Sequence, residues 1–178
     1  LWVMEYRQYQ YPAGLKVVRY DQYLRAVFAK TPLPPPDGTR GLDRIRVFED
    51  TDDDGEFDVS KVVLDGLNIA TSMQVGRDGF WVLNPPYLLF YPDRNQDDQP
   101  DADPEVHLSG FGIQDTHSVA NNLTWGIDGW LYGANGSTTG GQVTVERGRN
   151  RGTVATFEGQ CIWRYHPHRH EFELFAEG

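Results

Sequence analysis

The chain has 178 residues, of which 39% are hydrophobic and 24% charged, and this composition is typical of a globular domain. Its net charge of −10 argues against nucleic acid as a partner, because phosphate binding needs a basic surface. The single cysteine, Cys161, excludes an internal disulfide, and no Cys-x-x-Cys-His haem motif is present. With 19 Gly and 11 Pro, the chain is rich in turns, which favours many short strands.

A repeated unit is the main organising feature of the chain. A short apolar run that ends in a polar turn occurs three times, and each turn is followed by a second run. The first runs are 44–50, 87–93 and 161–167, and the second runs are 61–64, 105–108 and 172–175. Two Asp-Gly motifs, at 77–82 and 127–132, predict hairpins in the other half of the unit. Asp50 and Asp93 open equivalent turns 43 residues apart, a period that fits a four-stranded propeller blade.

The repeat predicts an all-β fold, a partial β-propeller of about 2.75 blades within the single domain 1–178. Blade one spans 1–65 and lacks its first strand, blade two spans 66–110, and blade three spans 111–178. Propellers close with about four to eight blades, so we expect the remaining blades to come from the same or another polypeptide. No transmembrane run is visible, and membrane association is expected only through parts outside this segment.

Two stretches interrupt the repeat, at 8–41 in blade one and at 136–159 in blade three. Both join the second strand of a blade to the third, so we expect them on the same face of the propeller. In the first insertion, several apolar residues have helical spacing and predict a short amphipathic helix before the proline-rich segment 32–36. These residues are Tyr20, Tyr23, Leu24, Val27 and Phe28.

The first acidic turn predicts a calcium site, because its oxygen ligands alternate as in known calcium loops. Asp50, Asp52 and Asp54 occupy positions 1, 3 and 5, and Gly55 permits the sharp turn at position 6. Glu56 offers its backbone carbonyl at position 7, and Asp58 closes the site at position 9. The alternative is a solvated hairpin turn that favours Asp and Gly for their backbone preferences.

The two later turns carry weaker versions of this pattern. The second keeps the predicted Ca²⁺ ligands Asp93, Asn95, Asp97 and Asp101, with Asp98 in place of the glycine. The third contains His166, His168 and His170, and alternating histidines can chelate a transition metal. For this third turn, an ordinary turn without a metal is the favoured interpretation.

The other candidate site residues lie in loops on the face of the propeller opposite to the acidic turns. His117 could act as a general base on a substrate hydroxyl, and Arg7 could hold an anionic group. Asn122, Asn135 and Gln114 could orient a cofactor or a sugar through hydrogen bonds. Each also has a structural interpretation: a loop-bracing histidine, a salt bridge from Arg7 to Asp115 or Glu5, and turn-forming asparagines.

The segments 1–9, 48–58 and 122–136 resemble a bacterial family of membrane-bound dehydrogenases abundant in planctomycetes. That family is similar to the glucose/sorbosone dehydrogenase type of β-propeller. The resemblance implies a six-bladed ring in a large secreted or envelope protein, which often has a helical-repeat region and a c-type haem domain elsewhere. It also implies pyrroloquinoline quinone and Ca²⁺ as cofactors, with His117 as the residue that accepts the hydroxyl proton and Arg7 as a partner of the quinone or of the reaction intermediate.

We therefore expect an extracytoplasmic oxidoreductase, a quinone-dependent dehydrogenase of sugars or alcohols. The alternative is a non-catalytic propeller that is stiffened by Ca²⁺ and binds glycans or proteins. A hydrolase with a channel metal held by Glu5, Asn84 or Asn135 is the third possibility. Calcium turns of this type suit compartments with millimolar Ca²⁺, which favours the periplasm or cell envelope.

Overall fold

The computed structural model of the protein describes residues 1–76 and 78–177, and all of its regular structure is β-strand, which confirms the all-β prediction. The strands are β1 Trp2–Glu5, β2 Val17–Tyr20, β3 Ala26–Phe28, β4 Asp43–Glu49, β5 Val59–Leu67, β6 Ser72–Val75, β7 Gly79–Asn84, β8 Tyr87–Pro92, β9 Glu105–Phe111, β10 Asn121–Trp125, β11 Leu131–Asn135, β12 Gly141–Val145, β13 Val154–Phe157, β14 Cys161–His166 and β15 Glu171–Glu177. Among the described residues, no helix is long and apolar enough to cross a membrane.

The strands form four open antiparallel sheets. The first sheet has the order β1-β4-β5, and the third sheet has the order β10-β11-β14-β15. The central sheet has the order β13-β12-β9-β8-β7-β6, and β2-β3 form a separate hairpin. Both Asp-Gly motifs lie between paired strands, β6-β7 and β10-β11, as predicted, although Arg77 of the first motif lies outside the described residues.

The central sheet is buried on both faces because successive side chains of a strand point in opposite directions. Phe80 and Val82 of β7 pack in one core with residues of the first sheet. Trp81 and Leu83 of the same strand pack in the other core with residues of the third sheet. The three sheets therefore stack face to face in chain order, and each fully buried side chain contributes about 1.5–3 kcal/mol.

The second insertion extends the central sheet instead of forming a loop. Its strand β12 pairs with the edge strand β9, with Val145 opposite Leu108, and β13 pairs in turn with β12. The close approach requires Gly110, whose φ is +95° and whose Cβ, if present, would lie 2.0 Å from the Gln142 carbonyl oxygen. Val143 and Val145 then reach the core beside the third sheet.

The predicted helix in the first insertion is wrong, because residues 17–28 form the β2-β3 hairpin. The Asp21 carboxylate accepts hydrogen bonds from the backbone N–H groups of Tyr23 (2.8 Å) and Arg25 (3.0 Å). Such a turn competes with a helix, and Leu24 adopts a φ of 61° that a right-handed helix excludes. The helical spacing arose from apolar residues on two paired strands.

Candidate functional site

The first acidic turn, between β4 and β5, brings three of its predicted ligands together. Asp50, Asp52 and Asp58 each offer a carboxylate oxygen, and these atoms lie within 4.8 Å of one another. Asp54 is not a member of this cluster, and its Oδ1 accepts the backbone N–H of Glu56 at 2.8 Å. Oxygen ligands at this spacing suit Ca²⁺ better than a transition metal.

One buried carboxylate oxygen of this turn lacks a hydrogen-bond donor among the described residues. Asp50 Oδ2 accepts the N–H of Gly55 at 2.8 Å, whereas its Oδ1 is buried and has no hydrogen-bond partner among the described residues. A buried carboxylate oxygen without a donor is costly, and a cation would relieve that cost. Hydrogen bonds from the backbone and hydroxyl of Thr51 lower the pKa of Asp58, which keeps this ligand ionised.

The second acidic turn, between β8 and β9, repeats the hydrogen bonds of the first. In both turns, the carboxylate of the ninth residue accepts a hydrogen bond from the backbone N–H of the second residue. The carboxylate of the first residue accepts from the N–H of the sixth, and the carboxylate of the fifth residue accepts from the N–H of the seventh. The donor–acceptor pairs are Thr51–Asp58, Gly55–Asp50 and Glu56–Asp54 in the first turn and Arg94–Asp101, Asp98–Asp93 and Gln99–Asp97 in the second. The fourth and sixth residues of both turns have positive φ. The two turns therefore share one backbone conformation.

Two features make the second turn a poorer cation site. Asp93 is buried, and both of its carboxylate oxygens already accept backbone N–H groups, from Asp97 at 3.2 Å and Asp98 at 3.1 Å. The Lys61 ammonium donates to the carbonyl of Asp97, so a cation of the chain already lies against this turn. Asn95 donates to Asp97 Oδ2 at 3.1 Å, which occupies another predicted ligand.

The histidine turn between β14 and β15 belongs to the packing of the third sheet. His166 packs edge-on against Trp130, and His170 Nδ1 lies 2.9 Å from the Tyr165 hydroxyl. The same hydroxyl lies 2.9 Å from Nδ1 of His107, a residue that sequence reasoning missed. Burial lowers the pKa of His107 to about 3, so this histidine is neutral. The sequence feature that could have identified His107 is its position between the apolar residues Val106 and Leu108.

His117 lies on the loop between β9 and β10, and its side chain is 65% exposed. Its Nδ1 lies 3.1 Å from Oδ1 of Asp115, and its Nε2 lies 2.5 Å from the Tyr9 hydroxyl. With the Nδ1 proton directed at Asp115, Nε2 is the accepting nitrogen and the Tyr9 hydroxyl donates to it. This pairing of carboxylate and imidazole is the arrangement that orients a general base.

Asp115 is held in its ionised form by its neighbours. The Thr138 hydroxyl donates to Oδ2 at 2.6 Å, and the backbone N–H of His117 donates to Oδ1 at 3.0 Å. These hydrogen bonds, led by that of Thr138, lower the pKa of Asp115. Sequence analysis named Asp115 only as a candidate salt-bridge partner of Arg7. Its bond to Thr138 and the bond between Tyr9 and His117 depend on the tertiary fold.

Arg7 does not form the salt bridges considered for it. Its guanidinium is exposed, and no hydrogen bond or ion pair engages it among the described residues. Glu5 instead pairs with Arg44 at 2.6 Å and Arg46 at 3.6 Å. The backbone N–H of Arg7 donates to Asp43 Oδ1 at 2.5 Å, and burial raises the pKa of this fully buried carboxyl. Arg7 is thus positioned by its backbone at the start of the first insertion.

The three predicted amide residues occupy separate environments. Asn122 is exposed at a bulge in β10, with a φ of 59°. Asn135 is buried, and its Nδ2 donates to the carbonyls of Gly136 (3.1 Å), Gly159 (3.1 Å) and Thr139. Gln114 is exposed and lines a large cleft. Gln114 is the only one of the five predicted residues in the lining of this cleft, so the set does not form a pyrroloquinoline quinone site there.

That cleft, here called the insertion cleft, has a volume of about 1080 Å³. One wall is the β2-β3 hairpin with Tyr23 and Arg25, and the opposite wall is formed by residues 110–114, 137–142 and 156–159. Arg25 spans the two walls, since it pairs with Asp21 at 2.6 Å and donates to the Thr138 carbonyl at 2.9 Å. Because Thr138 also bonds Asp115, the cleft lies beside the His117 site.

The fold and these sites define an all-β chain of stacked antiparallel sheets with two acidic turns and a polar cleft between its insertions. The chain belongs to the family described as a domain of unknown function (DUF7133), whose model matches residues 1–178. No curated protein and no solved structure gives a significant match.

Proposed function

We propose that the chain supplies successive blades of a β-propeller outside the cytoplasm, and that the face carrying its two insertions binds a carbohydrate. The face-to-face stacking of the first, central and third sheets supports the propeller, because neighbouring blades pack in this way. In this proposal 1–65, 66–110 and 111–178 contribute three blades of a six-bladed ring, and β12 and β13 of the second insertion extend the edge of the second blade. The other blades come from the same or another chain, as the dehydrogenase-family resemblance implies.

Ca²⁺ is the proposed ligand of the acidic turns, and the first turn is the stronger candidate. The clustering of Asp50, Asp52 and Asp58 supports it, together with the unpartnered Asp50 Oδ1. A bound ion would tie β4 to β5 at the edge of a blade and would not take part in chemistry on the insertion face. Millimolar Ca²⁺ is available outside the cytoplasm, which favours the periplasm or cell envelope.

The observation that carries carbohydrate binding is the exposure of tyrosines beside the insertion cleft. Tyr23 is 68% exposed, and Tyr9, next to His117, is 58% exposed. A tyrosine presents an apolar ring face and a polar hydroxyl, which is the combination that suits a sugar ring. Gln114 and Thr138, which also line the cleft, add hydrogen-bonding groups.

Calorimetric titration of the protein with neutral and acidic oligosaccharides tests this proposal. We expect binding that Tyr23→Ala weakens about three- to tenfold, because an aromatic contact contributes about 0.5–1.5 kcal/mol. Phe175→Ala is the matched control, since Phe175 is an exposed aromatic on the third sheet, away from the cleft. Failure of every oligosaccharide to bind would contradict the proposal.

Oxidation of a sugar or alcohol hydroxyl at the same face is the second candidate, and the Asp115–His117 pair favours it. A substrate hydroxyl in the place of the Tyr9 hydroxyl would donate its proton to His117 Nε2, while Asp115 stabilises the resulting imidazolium. The resemblance to dehydrogenases points the same way. When bound, a quinone would supply the electron acceptor, but of the amide residues predicted to hold it, Asn135 already donates to backbone carbonyls.

Dye-linked turnover of sugars in the presence of Ca²⁺ and pyrroloquinoline quinone tests the second candidate. We expect His117→Asn to lower turnover at least about 100-fold, the usual contribution of a general base. His168→Asn is the control, because His168 is an exposed histidine on a different turn. Equal turnover in both variants would rule out His117 as the base.

A further inference from the structure

The charge of the insertion cleft is opposite to that of the chain. The chain as a whole carries a net charge of −10. The charged residues that line the cleft are Arg19, Arg25, Lys30, Asp21 and Glu158, so cations outnumber carboxylates there. An excess of positive charge in a concave region of an acidic protein attracts anions locally.

The cations of the cleft differ in how they are engaged. Arg25 forms an ion pair with Asp21, and its guanidinium connects the two walls of the cleft. Arg19 and Lys30 are exposed, and neither forms an ion pair among the described residues. Two cations, Arg19 and Lys30, thus remain available for a ligand, against one unpaired carboxylate in the described part of the lining, that of Glu158.

The backbone of the hairpin that carries Arg19 is fixed to the opposite wall of the cleft. Arg19 lies opposite Val27 in the β2-β3 register, and the hairpin is tied to the opposite wall by the Ala26 N–H, which donates to the Gln114 carbonyl at 2.9 Å. A cleft whose walls are already joined loses less backbone freedom when a ligand binds.

The size and lining of the cleft indicate the kind of ligand. A volume of about 1080 Å³ lies at the upper end of small-molecule sites, which suits a chain of several sugar units. The exposed ring of Tyr23 can stack on a sugar, and the side chains of Gln114 and Gln142 can bond hydroxyl groups. Arg19 and Lys30 then match carboxylates that repeat along the ligand.

We infer that the insertion cleft binds an anionic oligosaccharide whose carboxylates pair with Arg19 and Lys30. This inference rests on the proposed carbohydrate binding and adds the charge of the ligand. The ring of Tyr23 holds one sugar unit at the cleft mouth, and the amide side chains hold the hydroxyl groups. An acidic peptide would satisfy the cations but would not use the combination of an exposed ring with several amide groups.

The test is calorimetric titration of the protein with a galacturonate tetrasaccharide and with the same tetrasaccharide after its carboxyl groups are reduced. We expect the acidic form to bind at least about tenfold more tightly, since charge-assisted hydrogen bonds are stronger than neutral ones. Arg19→Met and Lys30→Met should each remove most of that difference. Lys16→Met is the matched control, because Lys16 is an exposed lysine of the same insertion outside the cleft lining.

Each outcome decides one question. Equal binding of the two tetrasaccharides would overturn the anionic ligand while leaving the proposed carbohydrate binding intact. Absence of binding by both would overturn the two together. Equal losses in Lys16→Met and Lys30→Met, or equally tight binding of a glutamate tetrapeptide, would also overturn the inference. Circular dichroism of each variant checks that the fold is retained.

Discussion

The imidazole of His117 is held by the carboxylate of Asp115, with 3.1 Å between Nδ1 and Oδ1. Thr138, from the second insertion, donates its hydroxyl to the other oxygen of the same carboxylate at 2.6 Å. One carboxylate therefore joins the loop that carries His117 to the insertion that lines the cleft. Its state of ionisation affects both sites.

The pH dependence of stability follows from the lowered pKa of Asp115. A carboxyl whose pKa is lower in the folded state stabilises the fold above its unfolded pKa, and this contribution is lost as pH falls through the folded pKa. We expect Thr138→Val to raise the pKa of Asp115 and to lower the free energy of unfolding at pH 7. The difference from wild type should disappear in acid, below both pKa values. Carbon NMR of the carboxyl groups and urea unfolding across pH measure the two effects, and Thr124→Val on β10 is the control.

Calcium should stabilise the protein through the first acidic turn. A ligand that binds only the folded state adds about 2.7 kcal/mol when present at 100 times its Kd. We expect added Ca²⁺ to raise the Tm and Asp50→Asn or Asp58→Asn to abolish most of the rise. Asp53→Asn is the control, because Asp53 lies outside the cluster and asparagine tolerates its φ of 60°. A Tm that is indifferent to Ca²⁺ and to chelator would contradict the site.

The sixth position of the two acidic turns allows a pair of reciprocal substitutions. Gly55 and Asp98 occupy equivalent places with φ of 92° and 62°. Glycine adopts this region without cost, so we expect Asp98→Gly to raise the free energy of unfolding by roughly 0.5–1 kcal/mol. Gly55→Asp should lower it by at least a similar amount, since nothing lies within 4 Å of a Cβ there and the variant adds both an unfavourable backbone preference and a negative charge to an acidic turn. Chemical denaturation without Ca²⁺ measures both, and changes of the same sign would refute the equivalence.

The double-sided burial of the central sheet makes its strands sensitive to truncation. Leu83 of β7 is fully buried in the core shared with the third sheet. We expect Leu83→Ala to lower the free energy of unfolding by about 2–5 kcal/mol through lost packing and the cavity left behind. Val75→Ala, at the exposed end of β6, should cost far less. Urea denaturation provides the comparison, and similar costs for the two variants would argue against the described packing.

Local patterns predicted much of the fold. The Asp-Gly motifs placed the hairpins β6-β7 and β10-β11, because the turn residues set the backbone conformation between adjacent strands. The spacing of carboxylates in the acidic turns likewise predicted a converging cluster, and three of the five residues named in the first turn form it. Helical spacing failed in 17–28 because it cannot distinguish one helical face from two paired strands.

The composition, the repeat of about 43 residues and the turn chemistry are properties of neighbouring residues, so the sequence by itself determined the all-β class and the acidic turns. Only the tertiary structure decided that Tyr9 meets His117, 108 positions away, and that Arg25 reaches Thr138, 113 positions away. It also decided that β12 joins the edge of the central sheet. These contacts depend on how the two insertions fold back on the sheets, and the free energy of such long-range pairing comes from the packed whole and not from local preference.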